Sequence, residues 1–284
     1  MRYSFFPGCT QESTEKGFGD STTAVCRELG IELEEIPDWN CCGASSGHFL
    51  NDDLSHALPA RNLAIAEREG LDTAVVCAAC YLRLRTTEHE ARNSPEFRKK
   101  LEDLIGMPYE GKHDVRHLLD ILINELGTEE IEKKVKHPLT GLKVAAYYGC
   151  YLVRPPKVVG FDDPENPTTM DRLLQALGAE VVDWAGKVDC CGGSLTLTRT
   201  EIVENLVQGL ADSATQAGAE AIVVACPMCF SNLDSRQTAE QKLPILYFTE
   251  LMGLAFGVAK NEVSGWFHKH FVSPVALLAS RNLI

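Results

Sequence analysis

The chain has 284 residues, which at roughly 150 residues per domain suggests two domains of near-equal size. Hydrophobic residues make up 45% and charged residues 24%, the balance of a globular protein with real apolar cores, and this excludes disordered, collagenous and coiled-coil classes. Forty acidic residues against 27 basic leave a net charge of −13, the wrong sign for a nucleic-acid binder, so no nucleic acid is expected as a partner.

The N-terminus, MRYSFFPGCT, has no long apolar run and no small-residue cleavage site, so the protein is expected to be cytoplasmic. In that compartment the 11 cysteines stay reduced and structural disulfides are a poor default. Arg2 to Phe6 reads as a strand. Asp20 is placed as the cap of a helix through Leu29 that Gly30 terminates, and Ile31 to Ile36 alternates as a second strand. Ser55 is expected to cap a helix ending at Glu69, before a buried strand from Thr73 to Val76. Val115 to Leu126 reads as an amphipathic helix with Leu118, Leu122 and Leu126 aligned. A short helix follows from Glu129 to Lys136, and the domain boundary is placed near residues 137 to 142.

Downstream, Lys143 to Tyr148 is expected as strand, Met170 to Leu177 as helix and Glu180 to Trp184 as strand. Thr200 is placed as the cap of a helix with Ile202, Leu206 and Leu210 near one face, and Ala221 to Val224 as the next strand. Leu243 to Val258 is the longest apolar stretch, but Pro244, Thr249, Glu250, Gly253 and Gly257 interrupt it, so no transmembrane segment is expected. Its LYFTELMGLAFG portion (246–257) is apolar at helical spacing and reads as core or inter-chain contact. Alternating strands and helices imply parallel sheets with helices on their faces, and ligands gathered beyond the carboxyl ends of the strands.

Ten of the 11 cysteines form two copies of one pattern. Cys9, Cys41, Cys42, Cys77 and Cys80 make the first copy, and Cys150, Cys190, Cys191, Cys226 and Cys229 the second. The last four members repeat at an offset of 149 and the first at 141, so the second copy carries eight extra residues, placed in RPPKVVGFDDPENP. LGIELEEI (29–36) matches LGAEVVDW (177–184), and CCGASSG matches CCGGSLT. Thiolates grouped this way serve iron or zinc, and a Cys-x-x-Cys pair can also be a redox dithiol. Adjacent cysteines need a tight turn to aim both sulfurs at one cofactor, and Gly43 and the Gly192-Gly193 pair stand where such turns are needed. Cys26, without a repeat partner, reads as an inert core thiol.

This pattern, with PGCT, ARNLAIAE, CAACYL, ACPMCFSNL and the 246–257 segment, is similar to the CCG (cysteine-rich) domain, and two copies resemble the heterodisulfide reductase B-subunit (HdrB) family. The resemblance implies an α/β fold of two pseudo-symmetric Rossmann-like CCG domains, residues 1–138 and 139–284, the second with a C-terminal extension. It implies two noncubane [4Fe-4S] clusters, one on each set of five cysteines, with no catalytic residue beyond them. It also implies an oxidoreductase component that cleaves a heterodisulfide or related sulfur substrate between the clusters. Electrons are then expected from two partner proteins, one like the family's ferredoxin-type C component with cubane clusters and one like its flavin-bearing A component. The alternative is a CCG electron-transfer component of a succinate-, lactate- or glycolate-oxidising or sulfur-oxidising complex. His48 is a candidate neighbour of the first cluster. His268 and His270 are expected at the surface, and Arg154, Lys157, Lys187 and Arg199 are candidates for an anionic substrate tail.

Overall fold

The computed structural model describes residues 1–44 and 47–284. The first repeat opens with β1 (Arg2–Phe6), α1 (Lys16–Leu29) and β2 (Glu32–Glu35), and continues through α2 (Gly47–Leu50), α3 (Asp52–Glu69) and β3 (Thr73–Val75). It closes with α4 (Ala78–Asn93), α5 (Pro95–Ile105), β4 (Val115–His117), α6 (Leu118–Asp120), six residues of π-helix (Ile121–Leu126) and α7 (Thr128–Glu132). The second repeat follows the same plan: β5 (Lys143–Tyr147), α8 (Thr169–Ala176), β6 (Glu180–Val181), α9 (Thr200–Gln216), β7 (Ala221–Val224), α10 (Pro227–Ser235), β8 (Ile245–Tyr247) and α11 (Phe248–Phe256). Two further helices, α12 (Lys260–Phe267) and α13 (Val275–Ser280), form the C-terminal extension.

Each repeat builds a four-stranded parallel sheet, ordered β2-β1-β3-β4 and β6-β5-β7-β8. The fold class is therefore the α/β arrangement expected. Central strands are covered on both faces, which is why β3 and β7 read as unbroken small and β-branched runs, every residue buried.

Differences from the sequence expectations have local causes. Helix α1 starts before Asp20, which lies inside it, and its Gly30 stop adopts left-handed geometry as expected (φ 70°). Asn51, rather than Ser55, caps α3, accepting the Leu54 N–H at 3.0 Å. Arg199 stands at the α9 cap position without a side-chain cap bond, and the buried face of that helix runs through Val203, Val207 and Leu210, with Leu206 exposed. The expected helix over Val115 to Leu126 splits: its first three residues pair with β3 in register Thr73↔Val115 and Val75↔His117. Leu246 and Tyr247 likewise belong to strand β8, paired with β7, before α11 begins.

The two lobes exchange helices. Helix α1 of the first packs on α11 of the second, with Phe18 stacked on Tyr247 at 4.0 Å and Ser21 Oγ 2.7 Å from Thr249 Oγ1. Correspondingly, α8 of the second lobe packs on α6, α7 and the π-helical turns of the first. The inserted segment crosses as well, its carbonyls at Val159 and Val158 accepting from Tyr81 Oη (3.0 Å) and Arg85 Nε (3.1 Å) of α4. Among the described residues no helix is long and apolar enough to cross a membrane.

Candidate metal centre

Four strands deliver the site. Cys9 follows β1, Cys150 follows β5, and Cys77 and Cys226 follow β3 and β7 as the residues that precede α4 and α10. Cys80 and Cys229 lie three residues further on, in the first helical turn, where i and i+3 share a face and the helix N-terminus favours thiolate. Gly8 shows why a side chain is absent before Cys9: its φ is +76° and a Cβ there would stand 3.1 Å from Cys80 Sγ.

The adjacent pairs are turned as their chemistry requires. Gly43 and Gly192 hold φ of +76° and +78°, and their amides reach back to Cys41 Sγ and Cys190 Sγ at 3.4 and 3.3 Å. That turn separates the two neighbours: Cys41 goes outward to Cys9 (3.8 Å between sulfurs) while Cys42 goes inward to Cys80 (3.3 Å). In the second lobe the corresponding distances are 4.0 Å for Cys190 to Cys150 and 3.4 Å for Cys191 to Cys229. Buried asparagines brace both loops. Asn62 Nδ2 donates to the Asn40 carbonyl at 2.8 Å, and Asn232 Nδ2 to the Cys191 carbonyl at 3.1 Å.

Electrostatics follow from crowding. Cys190 is pushed down to about 6 by its contact with Cys150 and then by the Gly192 and Gly193 amides. Cys41 is depressed by Cys42 and Cys9 and then by the Gly43 amide, while contact with Cys41, followed by burial, pushes Cys42 up to about 12. Ala78, next to Cys77 in the first lobe, lines the chamber of the second set together with its five cysteines, so the two sets adjoin across the lobes. Among the described residues no three Cys, His, Asp or Glu side chains close on a single-ion position. Five thiols per set is one more than tetrahedral zinc takes, whereas thiols in amide-lined turns suit a multi-iron sulfide body that carries negative charge.

All ten cysteines expected in the site are thus brought to the carboxyl ends of the two sheets, and Cys26 is excluded from it, buried in α1 with its thiol pushed up to about 12 by burial. His48 lies beside the first turn, its N–H directed to the Gly43 carbonyl at 3.4 Å, and its pKa is lowered by burial and by the Arg83 charge. The basic candidates fare differently. Lys187 is buried and paired with Asp171 at 2.7 Å, and its carbonyl accepts the Tyr148 and Gly149 amides at 2.9 and 3.0 Å, so it braces the turn before Cys150 from behind. Arg154 and Arg199 pair with Glu165 and Glu201, and Lys157 is exposed. His268 is exposed as expected, but the His270 side chain is buried, 2.9 Å from Glu250. Sequence reasoning passed over Tyr151, Ser194 and Met228, which line the second chamber with its five cysteines. For Tyr151 and Met228 the signal was available in the repeat itself, since the aligned residues there are Thr10 and Ala79; Ser194 aligns with a serine and gave none.

Fold and site together define a duplicated α/β protein with two matched five-thiol sets that adjoin across its lobes. A family model described as a cysteine-rich domain matches residues 3–85 and 144–234. The chain is 34% identical over 269 residues to the 8-methylmenaquinol:fumarate reductase membrane anchor subunit of Wolinella succinogenes, covering 92% of this chain and 94% of that one. It is equally 34% identical over 277 residues to the B subunit of the ferredoxin/F(420)H(2)-dependent CoB-CoM heterodisulfide reductase of Methanosarcina acetivorans, covering 92% and 91%. Lactate utilization protein A of Bacillus subtilis is 22% identical over 258 residues, covering 89% and 99%. A hypothetical protein from Helicobacter pylori shares the fold, with a TM-score of 0.72 at 12% identity, over 95% of this chain and 51% of that one. The chain belongs to the cysteine-rich (CCG) domain family, in the group of the heterodisulfide reductase B subunits.

Proposed function

We propose that this protein is the iron–sulfur component of a cytoplasmic multisubunit oxidoreductase and that it reduces a disulfide between its two cysteine sets. In this reading the lobes are residues 1–138 and 139–284. Cys9, Cys41, Cys42, Cys77 and Cys80 hold one noncubane [4Fe-4S] cluster, and Cys150, Cys190, Cys191, Cys226 and Cys229 hold the other. The observation that carries it is the paired geometry: two complete sets with matching sulfur spacings, adjoining where Ala78 of the first lobe lines the chamber of the second set. Bound there, the clusters supply one-electron storage, so that two electrons arriving singly can reduce one sulfur–sulfur bond.

The chain's own residues do the rest. The Gly43 and Gly192 amides offset thiolate charge, the buried inner cysteines keep water from one side of each set, and the more exposed Cys9 and Cys190 leave the other side open. Electrons come from two partners, a ferredoxin-like protein with cubane clusters and a flavin-bearing protein. Relatives named for fumarate reductase and lactate utilization favour a second reading, an electron-transfer component with no disulfide chemistry of its own. Anaerobic iron and sulfide assay of the purified chain, with disulfide turnover by the reconstituted complex, separates the two. About eight irons with turnover supports disulfide reduction, and full iron without turnover supports electron transfer alone.

A further inference from the structure

The two sets are matched in their thiols but not in what surrounds them. In the first repeat Cys9 is followed by Thr10, and Ala79 precedes Cys80; at the aligned positions the second repeat has Tyr151 and Met228. The chamber of the second set is walled by carbon and sulfur, with Ala78 of the opposite lobe, Met228 and Gly193 among its lining residues. Three residues that carry hydroxyls line it: Tyr148, Tyr151 and Ser194. Tyr148 is committed elsewhere, 2.6 Å from Asp171 Oδ2 and accepting the Met170 and Asp171 amides at 2.7 and 3.1 Å. Tyr151 Oη stands 3.4 Å from Ser194 Oγ, and Ser194 is exposed to solvent. A phenol at the chamber wall, backed by a hydroxyl that reaches water, is the arrangement of a proton donor that can be recharged.

We propose that Tyr151 protonates the substrate sulfur released at the second cysteine set, making that set the proton-coupled half of the site. This rests on the disulfide-reductase reading above. The overall step is RS–SR′ + 2e− + 2H+ → RSH + R′SH, with both electrons from the iron–sulfur and flavin partners. The sulfur–sulfur bond breaks; one thiolate takes the Tyr151 hydroxyl proton as its O–H bond breaks, and the phenolate recovers a proton from water through Ser194. The other thiolate takes its proton from water at the first set, where Cys9 is exposed.

The test is Tyr151→Phe in the reconstituted complex, assayed with a dialkyl and with a diaryl disulfide. An aryl thiolate leaves without protonation, because its thiol is acidic, whereas an alkyl thiolate does not. The expected result is a fall in kcat of about a hundredfold with the dialkyl substrate at little-changed KM, near-wild-type kcat with the diaryl one, and unchanged iron content. Equal loss on both substrates, or none on either, overturns the proposal. A second readout needs no turnover. Electron–nuclear double resonance on oxidised protein incubated with an alkyl thiol should show an exchangeable-proton coupling in wild type that Tyr151→Phe lacks, and its persistence in the variant also overturns the proposal. Wild-type complex that takes electrons but leaves both disulfides intact removes the disulfide reading itself, and this inference with it.

Discussion

Cys41 and Cys190 are neighbours of buried cysteines yet reach different sulfurs, those of Cys9 and Cys150, and one glycine in each loop makes that possible. Replacing either with alanine should remove about four of about eight irons, leaving the other set loaded, as read by iron assay and EPR. Loss of all iron from either single variant would contradict independent sets. Gly43→Ala tests the turn: at φ +76° a Cβ would stand 2.8 Å from Leu58 Cδ1, so the strained backbone and the displaced leucine together should cost about 1–2 kcal/mol in chemical denaturation. Lys187 shows where residue-level reading fails. A lysine near a cysteine pair reads as a substrate cation, but burial beside Asp171 makes it a brace, and Lys187→Met should destabilise the fold by about 3–5 kcal/mol by leaving that carboxylate unpaired. Nothing local in the sequence reports that burial.

At the scale of elements, strands and helices were legible where period and punctuation agreed. Gly30 and Gly70 both stop helices in left-handed geometry, and β1 and β7 have the expected bounds. Val115 to Leu126 reads as one amphipathic helix, and Leu246 to Gly257 as apolar at helical spacing, because a three-residue strand running into a helix leaves an apolar run of no distinct period. Pairing with β3 and β7 decides it, and that partner is distant in sequence. The C-terminal extension is tied down by a buried pair. Burial opposes charge on His270, but the Glu250 carboxylate, with Asp234 nearby, outweighs it and raises the imidazole pKa. A raised folded-state value means that the contribution is full below about pH 6.5 and lost as pH rises through the folded value. The stability difference between wild type and His270→Gln, measured by urea titration across pH, should therefore shrink from about pH 6.5 upward; a difference that grows with pH would contradict the pairing.

For the whole molecule, duplication is the organising fact. Each lobe gives its first helix to the other, so neither set of thiols is independent of the interface. Phe18→Ala, removing a ring stacked at 4.0 Å on Tyr247 across the lobes, should cost about 3–5 kcal/mol and lower iron occupancy at both sets, in contrast to the single-set loss expected of the cysteine variants. Calorimetry and iron assay on the same preparation measure both effects.

The duplication, the ten thiols, the α/β class and the glycine turns all follow from the order of residues along the chain, because they depend on spacing, side-chain chemistry and local backbone freedom. Folding in three dimensions settles the remainder: which sulfurs pair, which basic residues are spent on buried acids, how the lobes exchange helices, and that Tyr151 faces the second set. Those are set by contacts between residues far apart in the chain, where burial and pairing outweigh any local preference.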